Sequence, residues 1–331
     1  MAQDDLILIT GATGFVGAAV ARAAQAAGWR LRLTARPGSN RANLAGLGAE
    51  VVYLDLNDPG GFPAALSGCR YLLHVAADYR LWVPDVAAMR RVNIDGTLAL
   101  LRAARQAGVE RSVYTSSVAA LGLTGDGSPA DETTPIRPEH HVGAYKQSKY
   151  DAEQAVRALA AEQDIVIVNP AAPVGPGDIK PTPTGQMILD AARGRMPAYV
   201  DTGLNVVHVD DVAAGHFLAL AKGRRGESYI LGSENLMLRD LLALVAAQSG
   251  RRPPRLRLPV AGLMPIAWAM ERIAERTGKP PLMTPDVLNM ARKKMFYSSA
   301  KAEAELGYAP RPALAAVADA LTWFRKEGRL A

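Results

Sequence analysis

Three glycines set three residues apart constrain this chain more than any other feature. Gly11, Gly14 and Gly17 lie in Leu8-Ile9-Thr10-Gly11-Ala12-Thr13-Gly14-Phe15-Val16-Gly17, between a short apolar run and the first helix-like stretch. Glycine at such positions allows a tight turn, close approach of backbone to a pyrophosphate, and close packing of helix on strand. A helix that opens there presents free N–H groups and a partial positive charge to phosphate oxygens. Taken alone the triplet is an ordinary glycine-rich turn. Placed between a strand and a helix, it predicts a dinucleotide site that includes Gly11, Thr13, Gly14, Phe15, Val16 and Gly17.

The rest of the N-terminal half agrees with that placement. Leu6 to Thr10, Arg30 to Ala35, Val51 to Leu54, Tyr71 to Val75, Ser112 to Ser116 and Ile165 to Val168 read as strands. Phe15 to Ala27, Ala87 to Ala107 and Tyr145 to Ala161 read as helices between them, with Gly28 and Gly108 as stops. The alternation predicts an α/β fold, a Rossmann-type doubly wound parallel sheet. After Pro170 the texture changes, and residues 173–185 are rich in Pro and Gly. We expect a dinucleotide-binding domain over residues 1–170. A smaller substrate-binding lobe over residues 171–331 would return segments to the main sheet.

Two further features point to chemistry. Tyr145-Lys146-Gln147-Ser148-Lys149 places a phenol and an ammonium four residues apart, on one face of a helix. A nearby cation lowers a phenol's pKa, so that it can give a proton to a carbonyl or take one from an alcohol. The other reading is a surface pair. Upstream, Ser117 ends the strand Val113-Tyr114-Thr115-Ser116-Ser117, at the edge where α/β sheets bind ligands. Glycine loop, strand-end serine and Tyr/Lys helix occur in that order, which makes Ser117, Tyr145 and Lys149 the catalytic candidates. The second strand ends Leu33-Thr34-Ala35-Arg36-Pro37, with no acid for a ribose 2′-hydroxyl. Arg36, with Arg41, can instead receive a 2′-phosphate, which favours NADP over NAD; an arginine there can also stack on adenine, which leaves NAD open. Asp55 and Leu56, just past the third strand, are candidate adenine contacts; Asp55 reads equally as a helix N-cap.

Composition narrows the setting. The chain has 331 residues, 49% apolar and 21% charged, enough for a large core. A single cysteine, Cys69, favours a reducing, cytoplasmic compartment. No signal-peptide pattern opens the chain, and the apolar stretch Leu258 to Met270, interrupted by Pro259 and Pro265, is too short to span a bilayer. The net charge is +6. Arg224-Arg225, Arg251-Arg252 with Arg255 and Arg257, and Arg292-Lys293-Lys294 contribute short basic clusters. They read as solvated loops, as a membrane-facing surface or as a phosphate contact. No aromatic-plus-basic motif points to nucleic acid. No His/Cys/Asp spacing suggests a metal, and His140-His141 read as a solvated loop.

Across nearly its whole length the chain resembles the extended short-chain dehydrogenase/reductases, the epimerase/dehydratase group. The cofactor loop Thr10 to Gly17 is similar, as are His74-Val75-Ala76-Ala77, Val92-Asn93-Ile94-Asp95-Gly96-Thr97 and Ser116-Ser117. Tyr145 with Lys149, Asn169-Pro170, Val174 to Asp178, Val207 to Ala213 and the ending Ala302 to Pro310 complete the likeness. The resemblance implies cofactor contacts from Val75, Ala76, Ala77, Asn93, Tyr145, Lys149, Pro170, Ala172 and Pro173. It makes Asp210 and Asp211 structural, with His208 tying the lobe to the sheet. Tyr79, Trp82 and Asn169 are the substrate candidates. Within the group the likeness is to the hopanoid-associated sugar epimerases, with dihydroflavonol-4-reductase-like enzymes and 3β-hydroxysteroid dehydrogenases close in pattern. It implies hydride transfer at a secondary alcohol or ketone of a sugar or polyprenoid lipid. A non-catalytic NADP(H)-binding scaffold is the other reading. Leu258 to Ile273 reads as a core helix, a lipid-pocket wall or a peripheral membrane contact. The resemblance also implies a homodimer through the helices Ala87–Ala107 and Tyr145–Ala161.

Overall fold

The computed structural model describes residues 5–137 and 143–330; His140 and His141 lie outside them. Thirteen strands are present in the described chain. They are β1 Leu6–Thr10, β2 Arg30–Ala35, β3 Ala49–Tyr53, β4 Tyr71–His74, β5 Arg111–Thr115, β6 Ile165–Pro170 and β7 Ala172–Val174. Then come β8 Ala198–Tyr199, β9 Gly203–His208, β10 Ser228–Leu231, β11 Glu234–Met237, β12 Leu256–Arg257 and β13 Lys294–Met295. The main sheet has seven strands in the order β10-β6-β5-β4-β1-β2-β3, all parallel.

Burial explains the strand sequences. β4 and β6 are buried at every position and are apolar on both faces except for His74 and Asn169 near their carboxyl ends. β3 lies at the edge and leaves Glu50, Val51 and Tyr53 exposed. The helix Phe15–Ala26 buries Phe15, Gly17, Ala18, Ala19, Val20, Ala21 and Ala24. Those small side chains let it pack against the helix Val209–Lys222 on the same face of the sheet.

The expected helix Ala87 to Ala107 is broken: the structure has helix Val86–Arg90, a π-helical turn Arg91–Gly96, then helix Thr97–Gln106. Wide turns of this kind cluster at functional sites because they re-aim side chains. Here the turn aims Asn93 inward, and Asn93 is 1% exposed.

The chain beyond Pro170 builds a small sheet, β11-β9-β13 with β7 beside β9, and also returns β10 to the main sheet. Val174 and Val206 of the small sheet pack with the helices Pro183–Ala192, Leu238–Ser249 and Ala313–Lys326. His208, Asp211 and Arg311 join these parts. Arg311 donates to Asp211 at 2.9 Å and to His208 Nδ1 at 3.0 Å, and His208 Nε2 lies 3.0 Å from Asp319. Because Nδ1 also accepts from the Asp210 N–H, the ring proton sits on Nε2 and points to Asp319.

Candidate active site

The carboxyl ends of β1, β4, β5 and β6 line up in register. The strand order reverses between β1 and β4. That is the crevice where open α/β sheets bind ligands. The glycine loop follows β1 there. Gly11 has φ +73°, and a Cβ on it would lie 2.8 Å from the Ala76 nitrogen. A Cβ on Gly17 would lie 2.2 Å from the Gly11 oxygen. The loop is thus pressed between the 15–26 helix and the backbone after β4. No side chain caps the helix at Gly14, so its first N–H groups stay free for an anion.

A buried hydroxyl–imidazole chain braces the crevice. The Thr10 hydroxyl accepts from the Val75 and Ala76 N–H groups, each at 3.1 Å, and lies 2.8 Å from His74 Nδ1. With both lone pairs used, Thr10 donates to Nδ1, and His74 Nε2–H donates to the Thr97 hydroxyl at 3.0 Å. Burial, then the Lys149 charge, push His74 down to about 3, so the ring is neutral. Thr10 was not singled out in the sequence, although it precedes the first glycine.

Asn93 clamps two elements. Its Oδ1 accepts from the Asp78 N–H at 2.8 Å. Its Nδ2 donates to the Asp78 carbonyl at 2.9 Å and to the Ser148 hydroxyl at 3.0 Å. Ser148 in turn donates to the Tyr145 carbonyl at 2.8 Å. Residues 75–80 and the helix Ala144–Leu159 are thereby locked together.

On that helix Lys149 is 2% exposed. Its Nζ donates to the Thr115 carbonyl at 2.9 Å and lies 3.4 Å from the Tyr114 hydroxyl. Burial lowers its pKa to about 8, against the opposing pull of Glu153. Tyr145 is half-buried; burial raises its pKa, while a hydrogen bond from the Ser117 side chain lowers it and Tyr79 adds a small upward push. Ser117 and Tyr145 thus meet directly, whereas Lys149 is held on Thr115 and Tyr114 and is not among the groups that shift the Tyr145 phenol, contrary to the expected lowering by a nearby cation.

Glu153, one turn beyond Lys149, is a further buried residue of this helix that no sequence motif marks. It is 1% exposed. Arg157 donates to its Oε1 at 2.8 Å, and Asn169 Nδ2 to its Oε2 at 2.7 Å. The same Asn169 nitrogen donates to the Ser117 carbonyl at 3.0 Å. Asn169, read as a substrate contact, is wholly buried instead and links Glu153 to Ser117. The spacing Tyr145, Lys149, Glu153, Arg157, four residues each, was the available signal.

The remaining candidates lie around this core. Arg36 is exposed at the carboxyl end of β2, and neither it nor Arg41 forms an ion pair among the described residues. Asp55 is half-buried and caps a turn, accepting from the Asn57 N–H at 2.9 Å; the short helical turn at Pro59–Gly61 is capped by Asp58 instead. Leu56 is buried. Pro170 ends β6 and Ala172 and Pro173 open β7, and the next turn is tied down by Arg22 and Asn43, which donate to the Pro176 and Gly177 carbonyls. Tyr79 is 44% exposed. Trp82 lines an open cleft of about 410 Å³ with Leu81, Val83, Pro84 and Val86. Glu271, Glu275 and Asp286 form its other wall, and it reaches Ala144, next to Tyr145. No group of three His, Cys, Asp or Glu that could hold a metal occurs among the described residues.

The topology and the glycine loop define a nicotinamide-dinucleotide enzyme of the doubly wound type. The chain belongs to the NAD dependent epimerase/dehydratase family, whose model matches residues 7–232. It is 45% identical, over 99% of this chain and 97% of the other, to a Synechocystis protein named provisionally as a dihydroflavonol 4-reductase. It is 36% identical, over 98% and 99%, to sterol demethylase protein B of Methylococcus capsulatus. The crystal structure of gox2253 superposes with a TM-score of 0.89 at 56% identity, covering 99% of this chain and 100% of that one.

Proposed function

We propose that this enzyme is an NADP(H)-linked oxidoreductase that interconverts a secondary alcohol and a ketone on a hydrophobic substrate of the polyprenoid or hopanoid kind. The observation that carries the reading is the end of β2, where Arg36 stands exposed, and without an ion pair among the described residues, in place of a ribose-binding acid. The apolar wall at Trp82 and the lipid-related name of the Methylococcus relative support the substrate class. A cytoplasmic setting fits a single buried, free cysteine. Residues 171–331, apart from the segments that join the main sheet, would form the substrate lobe.

The bound dinucleotide would supply or accept the hydride. Gly11 to Gly17 and the open helix end would hold its pyrophosphate, Arg36 the 2′-phosphate, and Val75 to Ala77 with Pro170 to Pro173 its nicotinamide half. Asp55, Leu56 and Asn93 would border the adenine and ribose. Tyr145 stands as a neutral phenol, a proton donor to the forming alkoxide. Ser117 holds the reacting oxygen. Lys149, fixed by the Thr115 carbonyl, would hold the nicotinamide ribose. In the opposite direction Tyr145 takes the alcohol proton.

Turnover of NADPH with a 3-keto triterpenoid or sterol, faster than with NADH, is the expected result, and Arg36→Asp should reverse the cofactor preference. Retained NAD⁺ in the purified protein, with turnover of a nucleotide sugar and no net cofactor consumption, would favour the second reading, a sugar epimerase. The 28% identical nucleoside-diphosphate-sugar epimerase of Pseudomonas aeruginosa, TM-score 0.80 over 99% of both chains, supports that second reading.

A further inference from the structure

Exposed large apolar side chains are concentrated in one short segment. Leu256, Ile266, Trp268, Ile273 and Leu282 are each more than half exposed; among the described residues only Leu314 joins them. Three of the five belong to the helix Val260–Thr277, which turns only part of its apolar surface inward. Its buried positions are Ala267 and Ala274, seven residues apart on one face, with Leu263 and Met270 half-buried beside them. Ile266 and Ile273, also seven apart, point outward, and Trp268 stands 59% exposed. A helix placed only to fill a core would bury its large residues and expose the small ones.

Charge falls on the same segment. Residues 251–279 hold seven basic and two acidic side chains, so they carry +5 of the chain's net +6. The two acids, Glu271 and Glu275, line the cleft that reaches Ala144. Arg272 and Arg276 are exposed. Arg272 pairs with Glu275 at 3.0 Å and Arg257 with Asp201 at 2.7 Å, both at the surface, whereas Arg224 and Arg225 are turned onto Glu305 and the Ala160 carbonyl.

We infer that the outer face of the Val260–Thr277 helix docks on an anionic lipid surface, which sets the mouth of the cleft between Trp82 and Ala144 near the bilayer. Isoleucine and tryptophan would enter the boundary between headgroups and acyl chains, with the indole at headgroup level and the arginines on lipid phosphates. No helix among the described residues is long and apolar enough to cross the membrane, so the contact is interfacial. A second copy fits this face poorly, because a two-fold contact would set one +5 segment against another. The inference does not depend on the reading of the substrate, since docking needs neither substrate nor cofactor.

Co-sedimentation of the full chain with vesicles tests it. Binding to equimolar phosphatidylcholine and phosphatidylglycerol should exceed binding to phosphatidylcholine alone by about tenfold or more at low salt, and fall as salt rises. Ile266→Asp with Ile273→Asp should abolish binding while the melting temperature holds. Arg272→Gln with Arg276→Gln should weaken binding to the anionic vesicles only. No sedimentation of the unaltered chain, or full sedimentation of the aspartate pair, overturns the inference. A lipid-free dimer that the aspartate pair dissolves would assign the face to a second copy and overturn it as well.

Discussion

Tyr145 and Glu153 make separable demands on the reaction. Tyr145→Phe removes the phenolic proton and little volume, so kcat should fall by about two to four orders of magnitude, the usual worth of a general acid. Cofactor affinity by fluorescence titration should stay near that of the unaltered chain; an active variant would overturn the assignment. Glu153 acts at one remove, through Lys149 and the Asn169 amide. In Glu153→Gln the ammonium loses the carboxylate that opposes burial, so the Lys149 pKa moves further below about 8. The alkaline limb of kcat that reports this group should shift to lower pH. A merely structural Glu153 would lower stability and leave the pH profile in place. Stability should fall by about 3 kcal/mol, since Arg157 loses a buried partner.

At the scale of elements, the π-helical turn Arg91–Gly96 decides how the cofactor edge is built. It turns Asn93 onto Asp78 and Ser148 and lets the helix approach the loop after β3. A Cβ on Gly96 would sit 2.5 Å from the Leu56 carbonyl oxygen. Gly96→Ala should therefore push that loop away, with a loss of about 1–3 kcal/mol by urea unfolding. The KM for NADPH should rise more than kcat falls, because Asp55 and Leu56 move while Tyr145 does not. Unchanged stability would mean that the loop yields freely. The V-N-x-x-G-T stretch was visible in the sequence. Its turn was not, because apolar periodicity reports a helix's face and is blind to one extra residue in a turn.

Across the whole molecule, two buried neutral histidines couple stability to acid. Burial takes His74 down to about 3 and His216 to about 4. Each folded value lies below the free value of about 6.5. Above pH 6.5 neither state binds the proton and the histidines contribute no pH dependence. Below it the unfolded chain binds protons that the folded chain refuses, so stability falls with pH by about 1.4 kcal/mol per unit for each histidine. Urea midpoints measured from pH 7 to pH 4.5 should show this slope. His216→Gln loses the bonds to Thr115 and Val212, so it should be weaker at pH 7 yet fall about half as steeply. An unchanged slope would place the acid sensitivity in the carboxylates instead.

The sequence by itself determined the parallel α/β order, the glycine loop, and the placing of Tyr145 and Lys149 one turn apart on a helix. Each of these is local: a strand's apolar run, a turn that only glycine can make, a four-residue step on a helix. Tertiary structure decided what such signals cannot carry. Asn169 and Glu153 became one buried hydrogen-bonded pair because β6 and the 144–159 helix pack together. Asp55 became the cap of a turn rather than of a helix. Whether an apolar stretch is core or surface is likewise settled by what packs on it. In the Val260–Thr277 helix the body of the protein covers the alanines, and Ile266, Trp268 and Ile273 are left facing outward.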